Sequence, residues 1–142
     1  MSETIARQWL EASARTATDK QFTEHMDLIS KRVSVTGVEG FDSIDYDAWY
    51  RVSEKEFAEG ILKSVRYDGL KMLDSSESQV RFKTFEVVEA SDATINAHGI
   101  EVMLEREADG KWRLLEERVL TEDEARQDGL VQGTLLRSLL NP

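Results

Sequence analysis

The side chains that could do chemistry in this chain are carboxylates, hydroxyls, arginines and two histidines, His25 and His98. Cysteine is absent. That removes thiolate nucleophiles, disulfides and Cys-ligated zinc, and two histidines are too few for a His-rich metal site. Proton transfer is one chemistry that these residue types allow. His98 can exchange a proton near neutral pH. Asp68 can act as a general base if partly desolvated. Tyr46 or Tyr50 can donate a hydrogen bond to a developing oxyanion. Arg118 offers a fixed positive charge suited to a carboxylate or enolate.

These residues can meet only if the elements that carry them converge. Four extended segments follow one another, 64–73, 79–88, 94–107 and 111–121, joined by short polar turns. Their order predicts an antiparallel meander. Three helical patterns precede it. Ile5, Trp9 and Ala12 fall at helical spacing, with Ser2 or Thr4 as cap. Thr18-Asp19-Lys20-Gln21 reads as a capping box for a second helix with the stripe Phe22, His25, Met26 and Ile29. A short alternating strand spans 33–37. Ser43 or Asp45 then caps a third helix bearing Tyr46, Trp49, Tyr50, Ser53 and Phe57, with Gly60 past its end.

The turns fix a register. Asp109-Gly110 closes the last hairpin with Gly110 as a left-handed bulge residue, so Leu104 faces Leu114, Val102 faces Glu116 and Ile100 faces Arg118. Closing the earlier hairpins at 90–92 and 74–78 places Thr84 beside His98 and Asp68 beside Thr84. Arg81 lands beside Glu101, a favourable cross-strand pair. In this register one face carries Leu70, Met72, Val80, Phe82, Ile100, Val102, Leu104, Trp112, Leu114 and Leu120, and meets the helices. The same face carries Arg66, Asp68, Thr84, Glu86, Asn96, His98, Glu116 and Arg118. Asp68 and His98 would then lie roughly 9–10 Å apart, with room for a small substrate. The other face mixes Val65, Tyr67, Phe85, Val87, Ile95, Ala97, Met103, Leu115 and Val119 with charged residues, Glu117 among them. It is too apolar for plain solvent surface and predicts a homodimer through the sheet.

Composition narrows the partners. The net charge of −10 disfavours nucleic acid and anionic membrane. No apolar run reaches the length of a membrane span, and the first residues lack signal-peptide regions. The expectation is one soluble, cytoplasmic domain over 1–142, with its core at about 3–121 and a helical tail at 122–142. In the tail, Thr121-Glu122-Asp123-Glu124 is another capping box and Gly129 a helix end. Leu130, Val131, Leu135, Leu136, Leu139 and Leu140 follow, and should pack on this domain or on a partner subunit.

The order of helices, short strand, helix with Tyr46-Asp47-Ala48-Trp49, and meander turning at Asp109-Gly110-Lys111-Trp112-Arg113-Leu114 resembles the nuclear transport factor two-like superfamily. That group includes SnoaL-like cyclases and ketosteroid isomerases. The resemblance implies a cone-shaped, cystatin-like α+β fold, a pocket between helices and sheet, and dimers through the sheet's outer face. It assigns no catalytic role residue by residue, and such folds host enzymes, binders and assembly modules alike.

The site expectation is therefore Asp68 and His98 as proton-transfer residues, with Tyr46, Trp49, Tyr50, Thr84, Glu116 and Arg118 around a small organic ligand, Arg118 suiting an anionic one. No metal or cofactor is expected. Blander readings stand beside it. Glu116–Arg118 and Arg66–Glu86 read equally as ion pairs, His98 as a core histidine, His25 as structural and the tryptophans as core. The alternative function is a non-catalytic dimer module with a vestigial pocket.

Overall fold

The structure, a computed structural model, describes residues 1–130. In chain order the elements are α1 (Ser2–Thr18), α2 (Phe22–Met26), β1 (Ile29–Thr36), α3 (Tyr46–Ala58), β2 (Leu62–Ser75), β3 (Gln79–Ala90), β4 (Ile95–Arg106), β5 (Trp112–Val119) and α4 (Glu122–Gln127). The four meander strands pair antiparallel as expected. β1 adds a fifth strand parallel to β5, giving the order β1-β5-β4-β3-β2. The chain is thus α+β, with α1 to α3 on one sheet face.

Several local expectations hold for a stated reason. Asp45 caps α3 by accepting from the Ala48 amide at 2.9 Å, and Thr121 caps α4 by accepting from Glu124. Gly110 sits at φ 84°, and the Glu107 amide donates to the Lys111 carbonyl at 2.9 Å, closing the last hairpin. Others do not. α1 begins at Ser2 behind Met1 without a side-chain cap, so neither Ser2 nor Thr4 caps it. The supposed capping box at Thr18 is the end of α1 and its exit. α2 starts only at Phe22 and lasts five residues, because the chain must turn into β1 at Ile29.

The core lies between α1 and the sheet. Ala6, Trp9 and Leu10 on α1 meet Val80, Phe82, Ile100, Val102, Leu104 and Leu114, all buried. Two irregularities reshape the faces. β2 is bulged at Gly69, whose φ of 77° suits a residue without Cβ. Before it Tyr67 pairs with Glu86, and after it Leu70 pairs with Thr84. β5 is bulged at Leu115: Leu104 pairs with Leu114, but Met103 pairs with Glu116 and Val102 with Glu117. Side chains alternate with period two, so each bulge turns the rest of its strand over.

No helix among the described residues is long and apolar enough to cross a membrane. Val131, Leu135, Leu136, Leu139 and Leu140 lie outside the described residues.

Candidate functional site

The buried stripe of α1 changes character along its length. Ala6, Trp9 and Leu10 give way to Ser13 and Thr16, both under 5% exposed. The Ser13 hydroxyl is 2.9 Å from the Tyr67 hydroxyl. Thr16 donates its proton to the Ala12 carbonyl at 2.8 Å, so towards His25 Nδ1, also at 2.8 Å, it acts as acceptor. That network assigns the Nδ1–H tautomer to His25. Burial holds the His25 ring down to a pKa of about 4, against the opposing pull of Glu86 and the Ser13 carbonyl. The imidazole is neutral at physiological pH.

Across from these helices the sheet presents Glu86, His98 and Glu117. Glu86 and His98 are direct cross-strand partners, with Nε2 3.4 Å from Oε1. Glu117 reaches the same face because the β5 bulge pairs it with fully buried Val102. Burial, and then the charge of Glu86, push the Glu117 carboxyl well above the usual carboxylate range. Burial and Glu86 likewise push the Tyr67 phenol up, against the Ser13 contact. The inner face thus brings together an acid held protonated beyond its usual range, a carboxylate, an imidazole and a phenol. That set can accept a proton at one atom and deliver one at another.

The expected residues distribute differently. His98 is inner, its side chain 27% exposed. Thr84 is inner and wholly buried, but its hydroxyl donates to the Gly69 carbonyl at 2.5 Å and so belongs to the bulge. Thr84 faces Ile100, not His98, because the β3–β4 register is offset by two residues from the expected one. Asp68 is exposed: it lies before the Gly69 bulge, where the strand has turned over. The same bulge puts Tyr67 inside and Arg66 outside. Glu116 and Arg118 are on the outer face because of the β5 bulge. Arg118 is bound there by Glu124 at 2.7 Å and Glu101 at 2.9 Å. Asp68, Glu116 and Arg118 therefore do not share a cavity with His98. Arg81 does bind Glu101, at 2.7 Å, although its direct partner is Met103. Tyr46 and Trp49 pack against the main core. Tyr46 and Tyr50, with Phe22, Met26, Asp27 and Arg113, line an open groove of about 700 Å³ at the α2–α3 side.

Ser13, Thr16, Tyr67 and Glu117 were missed as site residues. The signals were present: hydroxyls on the apolar stripe of α1, a glycine inside the alternating β2, and Leu114-Leu115-Glu116-Glu117, which breaks alternation.

The outer face is partly occupied by the chain itself. Phe85, Val87, Leu120, Ala125 and Leu130 form a second buried cluster, with Ile95 and Ala97 against it. Gly99 allows this approach, since a Cβ there would lie 3.0 Å from both Ala125 and Leu120. Lys83 binds Asp128 at 2.7 Å and Lys71 binds it at 2.5 Å, anchoring the end of α4. Much of the apolar surface expected to form a dimer is thus under α4. Val65, Tyr67 and Val119 leave that face through the two bulges.

No family model and no curated protein matches the chain. Solved structures do match. A provisionally named scytalone dehydratase from Novosphingobium aromaticivorans DSM 12444 aligns with a TM-score of 0.64 at 12% identity, covering 82% of this chain and 81% of that one. An NTF2-like protein of unknown function from Pseudomonas putida KT2440 gives 0.65 at 11%, covering 82% and 84%. A Catenulispora acidiphila protein in complex with S-DNPA gives 0.63 at 16%, covering 88% and 96%. At these identities the likeness establishes the fold, which is nuclear transport factor two-like.

Proposed function

We propose that the chain binds a small organic molecule between α1, α2 and the inner sheet face, and transfers protons on it without a cofactor. The observation that carries this is the inner grouping of Glu117, Glu86, His98 and Tyr67, two of them with proton affinities raised by enclosure. A raised carboxyl pKa such as that of Glu117 suits general acid–base work near neutral pH. The reaction class is isomerisation or elimination next to a carbonyl. One carboxylate takes the proton from the α-carbon, and a protonated partner delivers one to the carbonyl oxygen or the leaving hydroxyl. His98, 3.4 Å from Glu86, passes the proton on between turnovers. The fold neighbours named for a dehydratase or holding S-DNPA lend support by analogy of fold alone.

The anionic ligand expected from Arg118 has no support in this geometry, because that guanidinium is committed to Glu101 and Glu124 on the far face. The dimer module as sole function is the weaker reading, since α4 covers apolar surface it would use. A panel of cyclic ketones and β-hydroxy ketones, with and without an amine, in deuterated water tests the proposal. Wild type should speed α-carbon exchange or water loss, and Glu86→Gln and Glu117→Gln should abolish it. No exchange with any compound, together with a crystal structure in which side chains fill the inner space, would overturn it.

A further inference from the structure

The open groove at the α2–α3 side stands apart from the inner grouping. Its volume, about 700 Å³, falls within the range of small-ligand sites. None of Tyr67, Glu86, His98 and Glu117 lines it. Part of its lining is aromatic and part is charged, and the two parts select for different features of a ligand.

The aromatic part is a platform on α3. Tyr46 and Tyr50 lie four residues apart, so their rings project from one face of the helix. The ring centroids are 6.1 Å apart and the planes are tilted by 38°. Phe22 meets Tyr50 edge-on, at 5.1 Å and 72°. Rings held at these angles brace one another without stacking face to face, which leaves flat ring surface over. Tyr50 is 36% exposed. The Tyr46 hydroxyl has no hydrogen-bond partner among the described residues. No buried side-chain polar atom of theirs goes unpaired, so that hydroxyl is accessible. Burial, and then the nearby Tyr50, Asp27 and Asp47, push the Tyr46 phenol up, so it keeps a proton to donate.

The charged part is balanced. Lys31, Arg32 and Arg113 line the groove with Glu24, Asp27 and Glu107. Arg113 holds Asp27 at 3.0 Å and Glu107 at 2.9 Å, and Lys111 holds Asp27 at 2.8 Å. Arg32 lies 3.4 Å from Glu107. Glu24 and Lys31 have no partner among the described residues and are opposite in sign. A charged ligand therefore meets no excess of the opposite charge, and would compete with pairs already made. Paired carboxylates and guanidiniums still keep lone pairs and N–H groups to spare. The rim thus offers many donors and acceptors with no net charge.

A ligand that uses both parts is neutral, rests an apolar face on the rings and carries several hydroxyls. A plain aromatic would use the platform and leave the rim unanswered. A sugar ring does both: its C–H groups lie against the negative face of an aromatic ring, and its hydroxyls donate and accept. We propose that this groove binds a neutral saccharide, one ring resting on Tyr50, with hydroxyls on Tyr46, Asp27 and Arg113. The site does not depend on the proton-transfer reading.

Maltose, cellobiose and glucose are titrated into the full-length protein near neutral pH, beside glucuronate, glucosamine and phenol. NMR signals of the Tyr46, Tyr50, Tyr67 and His98 rings are the readout. Maltose or cellobiose should shift Tyr46 and Tyr50 with a Kd of about 1 mM and leave Tyr67 and His98 in place. Glucuronate and glucosamine should bind no more tightly than glucose. Tyr50→Leu keeps an apolar side chain beside Phe22 but removes the ring, and should weaken the disaccharide about ten-fold. Tyr46→Phe should weaken it about three-fold, and serves alone if the first variant fails to fold. A charged sugar favoured ten-fold over glucose, or phenol binding more tightly than either disaccharide, overturns the ligand class. Shifts at Tyr67 and His98 instead of the α3 tyrosines overturn the location, and so does full affinity in the folded variants. No shift of Tyr46 or Tyr50 by either disaccharide at about 10 mM, ten times the expected Kd, overturns the site.

Discussion

Acid should weaken this protein first through His25. The ring sits between Thr16 and Phe57, and burial holds its pKa at about 4 against an ordinary 6.5. The sign follows from the depressed folded value. The unfolded chain takes up its proton near 6.5, while the folded chain resists until about 4. The stability this neutral histidine supports is whole above 6.5 and drains away as pH falls towards 4. Between those limits the unfolded state binds one more proton, so the slope is about 1.4 kcal/mol per pH unit. Across the interval the loss comes to at most about 3 kcal/mol, a large part of the stability of a small domain.

Two other sets of groups act in different windows. Glu124, held at about 2 chiefly by its hydrogen bond from Arg118, contributes stability that is lost only below the ordinary carboxylate range. Asp27, Asp109 and Asp128 are shifted in the same direction by their basic partners. Glu117 works the opposite way. Its raised folded value gives stability below the ordinary carboxylate pKa that is lost as pH rises. The wild-type slope above pH 4.5 is therefore a difference between His25 and Glu117, and a single curve cannot separate them. Urea unfolding of wild type and His25→Gln at matched pH does so. The variant should be less stable near neutral pH, where it loses packing, and the gap should narrow by up to about 3 kcal/mol towards pH 4. An NMR titration of the His25 ring gives the pKa directly. A value at or above 6.5, or a gap independent of pH, would refute the reasoning.

Glu117→Gln should stabilise the fold at neutral pH, because an amide removes the cost of enclosing an ionisable carboxyl, and the gain should shrink on acidification; urea midpoints at two pH values check it. Thr84→Val should cost about 1–3 kcal/mol, since it leaves the Gly69 carbonyl without its donor; the change is read from chemical denaturation, with hydrogen exchange along β2 to show that the bulge loosens. Gly99→Val should push α4 off the outer face, costing about 1–3 kcal/mol by overpacking. Sedimentation velocity should then show self-association through the uncovered Phe85, Val87, Ile95 and Ala97. A variant as stable and as monodisperse as wild type would mean that α4 does not depend on this contact.

How much of this was legible beforehand depends on which physical rule each feature obeys. The helix-then-meander order, the Asp45 cap, the Gly110 turn and the core pairing of Leu104 with Leu114 follow from local propensity and alternation, which a sequence displays directly. β1's parallel pairing with β5 is a non-local contact, and nothing in residues 29–36 announces it. The register of β3 on β4 slipped by two residues, which preserved the faces: Phe82, Ile100, Glu86 and His98 are inner either way. The bulges were different in kind. A single extra residue costs little locally, yet it reverses every side chain beyond it. Gly69 exchanged Asp68 for Tyr67, and Leu115 exchanged Arg118 for Glu117. The expected site, a base with a fixed cation, thereby became two carboxyl groups with an imidazole and a phenol. Alternation placed the face correctly; two insertions decided its charge. Both left a trace in the sequence. Gly69 lies mid-strand among residues that otherwise favour β structure, and the doublets Leu114-Leu115 and Glu116-Glu117 cannot both alternate. In an alternating sheet such breaks are where a site's chemistry is set, because that is where the strand chooses which of two adjacent side chains it turns inward.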